Sequence, residues 1–462
     1  MPSSPALART AQNTLDLFLW TAVAMPLVAM VIHITLFPIG LFAWNGNLVL
    51  IVNTMIVASA WRYLPALPAG RARAVAGLLA GLLAWTVART ILSDTTSLVV
   101  SYSGLIVLAS MLTAIAAGYT ATRAGMPLPR RLVTTIALAA PALVPLPAMV
   151  SVVPDFYDAE TWTHTLFGYG QVRNVGSHAT LPLAVLVAYL VAAPRLGPAP
   201  SRRVRAALWV LVAGLWCTLA WSGSRGGPAS LLPAFLLSWV LIARPDMRAL
   251  AVQVGLAALG TAASMLFWLP NHRFGMFDRA ANTLQILGDG VARTGGDIAA
   301  VADRASSRRL ELWEWSWSLA LEKPWTGWGY LPMRALDEVR DVPHAAHAHN
   351  SPLDYMVGLG LPAGILLSVA ILGLWGAALL VLRRLGREGR LTAWDVALFT
   401  GTTLGGIYTL HSAFFISPWP ALVFGLSLGV LLARGALPDA PDAQVSGAAP
   451  TDRQREHEEI FA

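Results

Sequence analysis

The chain carries very little charge for its size. Only 12% of its 462 residues are Asp, Glu, Lys or Arg, where a soluble domain carries about a quarter. Hydrophobic residues make up 56%. So few charges cannot cover the surface of a soluble protein this large, which excludes the three or so soluble domains that length alone gives. Lysine is nearly absent, since arginine supplies 31 of the 32 basic residues. The net charge of +7 is not a nucleic-acid footprint, because these arginines sit in short loops between apolar runs. The single cysteine, Cys217, lies inside an apolar run, so no intrachain disulfide forms. The polar N-terminus, Met1 to Thr14, lacks an Ala-x-Ala-type cleavage site after the first apolar run, so no cleavable signal peptide is expected.

What the sequence does have is apolar runs long enough to cross a bilayer, which takes ~20 residues. Twelve are readable, at about 15–37, 42–61, 74–92, 98–121, 132–153, 179–193, 206–222, 229–243, 249–269, 360–382, 394–416 and 420–434. The sixth, eighth and twelfth are short enough to need extension into their flanks. The expected fold is all-α, a polytopic membrane protein of about twelve transmembrane helices with a helical periplasmic loop domain. Its segments are 1–269 (helices 1–9), 270–351 (the loop domain), 352–434 (helices 10–12) and 435–462, a Pro/Ala/Asp/Glu-rich tail expected to be disordered and cytoplasmic.

Loop charge orients the chain. With the N-terminus inside, the short inner loops hold sixteen arginines, and the short outer loops hold only Arg173 and Arg225. A basic residue kept on the poor side asks for a reason. Arg225 lies in Trp221-Ser-Gly-Ser-Arg-Gly-Gly-Pro228, a tight turn before a helix start. Free N–H groups there bind anions, and a guanidinium adds bidentate phosphate contacts. Snorkelling to lipid headgroups explains the residue equally well. Arg173, in Gly168-Tyr-Gly-Gln-Val-Arg-Asn-Val-Gly-Ser-His178, stands in a similar setting, and a surface arginine is its plainer reading.

The 270–351 insertion is polar but not structureless. Leu310, Trp313, Trp317 and Leu321 recur at helical spacing between Ser307 and Leu321, and Pro324 ends the pattern. The expected helix lies on the membrane surface or on the bundle, with Arg308, Arg309 and Glu311 at its start. Further on comes His344-Ala-Ala-His-Ala-His-Asn-Ser-Pro-Leu-Asp354. Ser351-Pro-Leu-Asp354 reads as a capping box, which makes Asp354 a structural cap. That puts His349 near a helix N-terminus, where a neutral imidazole able to accept a proton is favoured. His344, His347 and His349 invite a metal reading, yet no carboxylate sits at ligand spacing, so no metal and no cofactor is expected.

The Ser-x-Ser-Arg-Gly-Gly turn, Arg309-Leu-Glu-Leu-Trp313, Pro324-Trp-Thr-Gly-Trp-Gly329 and His349-Asn350…Gly360-Leu-Pro occur in the order seen in the O-antigen ligase/polymerase superfamily. The chain resembles that family by motif in its second half and by span count throughout. It departs at Ala363, where the family often has Gly, Thr or Tyr. The resemblance implies a metal-independent glycosyltransferase of the bacterial inner membrane, with both termini cytoplasmic and the site facing the periplasm. Its substrates would be undecaprenyl diphosphate-linked O-antigen and the lipid A core oligosaccharide, within membrane lipid and without nucleic acid. His349 matches the catalytic base and Arg225 the essential arginine. Arg173, Arg225 and Arg309 are the diphosphate-binding candidates, and His347 and Arg308 the supporting ones. A ligase is the first reading and a polymerase the second. A lipid-linked glycan transporter is the third, disfavoured because Arg89, Asp94, Asp354 and Asp395 fall near span ends.

Overall fold

A computed structural model describes residues 70–93, 98–123, 125–148, 172–197, 200–224, 226–267, 285, 309–330, 348–411 and 418–435. All regular structure among them is helical. The main helices are α1 (Arg71–Ile91), α2 (Leu98–Arg123), α3 (Leu128–Ala139), α4 (Val172–Leu196), α5 (Arg202–Ser222), α6 (Gly226–Leu241), α7 (Met247–Ser264), α8 (Arg309–Glu322), α9 (Ser351–Leu359), α10 (Leu361–Arg387), α11 (Ala393–Thr409) and α12 (Pro418–Arg434). Predicted spans three to twelve correspond to α1 to α7 and α10 to α12, while 15–37 and 42–61 lie outside the described residues. Seven described helices are long and apolar enough to cross a membrane, and α6 and most of α12 are shorter apolar helices. The short sixth run grows at both ends into α4.

Local chemistry sets the helix ends. Ser201 caps α5, which stops at Gly223 in the left-handed region (φ 62°), and Asp246 caps α7 through the Ala249 N–H at 2.9 Å. Thr392 and Asp395 form a capping box at the start of α11. At the same end, Arg434 holds the fully buried Asp395 through its Nε at 3.0 Å and Nη2 at 3.2 Å.

The core is centred on α4, buried from His178 to Ala193 and packed by α5, α6, α7 and α11. Tyr189 of α4 stacks on Trp394, with ring centroids 4.1 Å apart. Among the described residues the most extensive helix pair is α2 with α12. Lipid gives no hydrophobic drive between helices, so their affinity comes from close approach. Gly425 and Gly429, one turn apart on α12, supply it: a Cβ at either would strike the carbonyl of Met111 or Ile115.

Candidate functional site

Five pieces of chain meet at the end of the bundle where α6 and α10 begin. The first is the start of α4, where Gly176 lies so close to Ser222 and Ser224 that a Cβ would collide with both. The second is the turn from α5 into α6. The third is the end of α11, where the helix stops at Thr409, short of the predicted 416, and His411 lies in the turn beyond. The fourth is 348–350 with α9, and the fifth is α8.

Side chains tie these pieces together. Ser230 Oγ and His411 Nε2 share a hydrogen bond at 2.7 Å, its donor set by the imidazole tautomer. Ser224 and Tyr408 share a longer one at 3.4 Å. Gly226 has room for no Cβ without pressing on Tyr408 and His411. Burial, and then the charge of Arg309, hold His411 below the ordinary imidazole range, so it is neutral at pH 7. Arg309 is therefore close enough to act on the turn beyond α11.

The His349 segment is held from three sides. Trp313 Nε1 donates to the Ala348 carbonyl at 3.1 Å. Asn350 Nδ2 donates to the Leu410 carbonyl at 3.1 Å. The Ala348 N–H donates to Asp354 Oδ1 at 2.7 Å. His349 itself sits at φ 52°, the one non-glycine residue with positive φ among those described. An L residue there costs roughly 1–2 kcal/mol, so the three bonds around it hold a conformation that the chain does not choose by itself.

These bonds correct the predicted capping box. The N-cap of α9 is Asn350, whose Oδ1 accepts from the Leu353 N–H at 3.1 Å, with Ser351 and Pro352 as the first helical residues. Asp354 does not pair with Ser351. Its Oδ1 instead accepts from the Ala348 N–H, while Asn350 serves the helix start. Asp354 is buried, and its second oxygen has no hydrogen bond among the described residues. Burial outweighs the Ala348 bond and pushes this carboxyl up to about 7.

Beneath the site runs a backbone seam. Trp328 N–H donates to Val357 O (2.9 Å), Gly329 N–H to Gly358 O (2.9 Å) and Leu361 N–H to Pro324 O (2.7 Å). Gly327, Gly329 and Gly360 adopt positive φ, and Gly327, Gly358 and Gly360 pack against backbone. Arg89 of α1 fastens the seam through its Nε to Thr326 O at 2.7 Å. The family-like Pro324–Gly329 and Gly360-Leu-Pro motifs thus meet each other, and Arg89 serves that turn.

The predicted helix in the insertion exists as α8, and most of its apolar stripe is turned away from the packed face. Ser316, Leu319 and Ala320 are buried, whereas Leu310, Trp317 and Leu321 are exposed. Of that stripe, Trp313 is tied inward by its N–H.

Among the candidate residues, His349 and Arg309 are described at this end. Arg173 falls in the first turn of α4, and nothing is described of its side chain. Arg225, Arg308, His344 and His347 lie outside the described residues, though Ser224 and Gly226 flank Arg225 within the cluster. No group of three His, Cys, Asp or Glu side chains among the described residues is placed to hold a metal. Tyr408 and His411 have no role in the sequence reading, and Asn350 enters it only as part of the His349-Asn350 motif. Only Asn350 carried a signal, its cap position before Ser-Pro.

No curated protein matches the chain. Residues 206–368 match a family model described as O-antigen ligase. The match runs from within α5 to within α10 and takes in the arginine turn, α8 and the His349 segment. Over that segment the chain is similar to the O-antigen ligase family.

Proposed function

We propose that the chain transfers O-antigen from undecaprenyl diphosphate to a sugar of the lipid A core at the periplasmic face of the inner membrane. The carrying observation is the convergence of His349, Arg309 and the residues flanking Arg225 at one end of a helical bundle whose segment 206–368 matches the O-antigen ligase model. Arg173, with its backbone at the start of α4, belongs to the same end.

In this reading His349 takes the proton of the acceptor hydroxyl as its oxygen attacks the anomeric carbon of the donor. The bond from that carbon to the diphosphate oxygen breaks, and undecaprenyl diphosphate leaves with the electron pair. Arg225, Arg173 and Arg309 stabilise its growing charge, as bidentate donors do without a metal. Direct displacement inverts the anomeric centre. His347 and Arg308 are supporting neighbours. This reading takes twelve spans with both termini inside and 270–351 outside, a topology that would bring these groups level with both lipid substrates.

The test is deletion in the native cell followed by lipopolysaccharide gel analysis. Bare core with lipid-linked polymer accumulating supports the ligase. Core bearing a single repeat unit assigns the polymerase instead. Purified protein should keep its activity in excess chelator, and activity restored by one divalent ion would turn His344, His347 and His349 into ligands.

A further inference from the structure

We propose that the opposite end of the bundle carries a binding site for an anionic phospholipid, with guanidinium groups for its phosphates and an apolar wall for its chains. A cavity of about 740 Å³ opens between the last turns of α4, α6 and α10. Arg195, Arg244, Arg383 and Arg387 line it together with Leu241 and Leu380, and no carboxylate does.

The acidic residues nearby are engaged elsewhere. Glu388 accepts from Arg384 Nε at 2.6 Å and Arg390 Nη1 at 3.1 Å. Asp395 is held by Arg434. Asp246 caps α7, and its other oxygen comes only to 3.9 Å from Arg195 Nε. Arg244, Arg383 and Arg387 have no ion pair with any described residue. Loop charge bias and helix C-termini both favour arginines at this end. Neither explains why four of them converge on one hollow, where like charges repel unless an anion sits between them.

A guanidinium presents a two-pronged donor that matches phosphate. Basic pockets between spanning helices at the membrane surface hold phospholipid headgroups in this way. The apolar wall favours a lipid over a free phosphate, because Leu241 and Leu380, within the apolar runs 229–243 and 360–382, set an acyl-chain surface directly beside the guanidiniums, which a bare ion would not use. Four guanidiniums match two phosphates, so a lipid with two phosphodiester groups should bind best. Its occupancy would tie together three helices whose other ends build the site described above.

The test uses the full-length protein, purified in detergent and stripped of lipid, with thermal unfolding followed as ligand is added. Cardiolipin should raise the midpoint most and phosphatidylglycerol less. Phosphatidylethanolamine and sodium diphosphate should leave it unmoved. Arg383→Ala/Arg387→Ala should need about tenfold more cardiolipin for the same shift. Arg202→Ala/Arg203→Ala, at the same end but outside the cavity, should respond like the parent. Should the first double variant not purify as a folded protein, Arg244→Ala gives the comparison through a single exposed group. An equal response in both double variants overturns the proposal in favour of diffuse attraction. A full shift with sodium diphosphate makes this a small-anion site and also overturns it. So does cardiolipin binding that appears only after removal of the acidic segment 437–462, which would make that segment the occupant.

Discussion

The indole N–H of Trp313 donates to the carbonyl of Ala348, 35 residues further along the chain. One turn before Trp313, on the same face of α8, stands Arg309. One residue after Ala348 stands His349, held at positive φ. A single hydrogen bond therefore fixes the register between the proposed diphosphate arginine and the proposed base. Trp313→Phe, which keeps the ring and loses the donor, should lower transfer by about tenfold while leaving the thermal midpoint of the purified protein nearly unchanged. Parent-like turnover in that variant would show that the α9 side alone positions the histidine.

His349→Ala should retain folding and donor binding but lose transfer by ~10²–10⁴-fold. His349→Gln should fail as badly, since an amide cannot take the proton. Both replacements pay a left-handed penalty similar to that of the histidine, so backbone strain does not separate them. Activity restored by Gln but not by Ala would make the residue a hydrogen-bonding group rather than a base. His344→Ala is the internal control and should be mild.

Arg225→Ala should nearly abolish transfer, and Arg225→Lys should recover little, because an ammonium has no planar fork. The measurement is turnover with lipid-linked donor in purified protein. Full activity in the lysine variant would mean that charge alone matters there.

Asp354→Asn keeps an acceptor for the Ala348 N–H and should hold activity within about threefold of the parent, whereas Asp354→Leu should lose ten- to a hundredfold through a loosened His349 segment. The pH dependence has a definite sign. Burial raises this carboxyl from 3.8 to about 7, so the folded chain keeps a proton that the unfolded chain has lost. Its contribution to stability is complete below about pH 4 and is lost as pH rises to 7, on the order of 4 kcal/mol across that window. Unfolding midpoints measured from pH 4.5 to 7.5 should fall more steeply for the parent than for Asp354→Asn. Parallel curves would show that the carboxyl is not the titrating group.

A reporter fused near residue 300 should respond as periplasmic and one near 388 as cytoplasmic. The reverse pattern would put His349 and Arg309 on the side lacking both substrates.

Much of this was legible in the sequence because lipid imposes length and charge rules that a single chain displays openly. The run 360–382 became α10, and the glycines around Arg225 marked a turn whose neighbours do approach closely. Other features left no trace. Ser230 and His411 are 181 residues apart, and no local pattern links them. The stripe Leu310, Trp317, Leu321 gave α8 its period but not its orientation, because at a membrane an apolar face can turn outward as readily as inward. At the start of α9, Asn350 and Ser351 both suit a cap, and only the geometry chose Asn350.

The seam between Pro324–Gly329 and Val357–Leu361 is made of main chain on both sides. It therefore ignores most side chains and depends on the missing ones. In a saturation scan, Gly327, Gly358 and Gly360 should stand out as positions that accept no replacement, alanine included. Thr326, exposed and contributing only its carbonyl to Arg89, should accept nearly anything except proline. Intolerance there would report a fit of backbone to backbone rather than contact with substrate, and a scan scored on activity alone would mistake the one for the other.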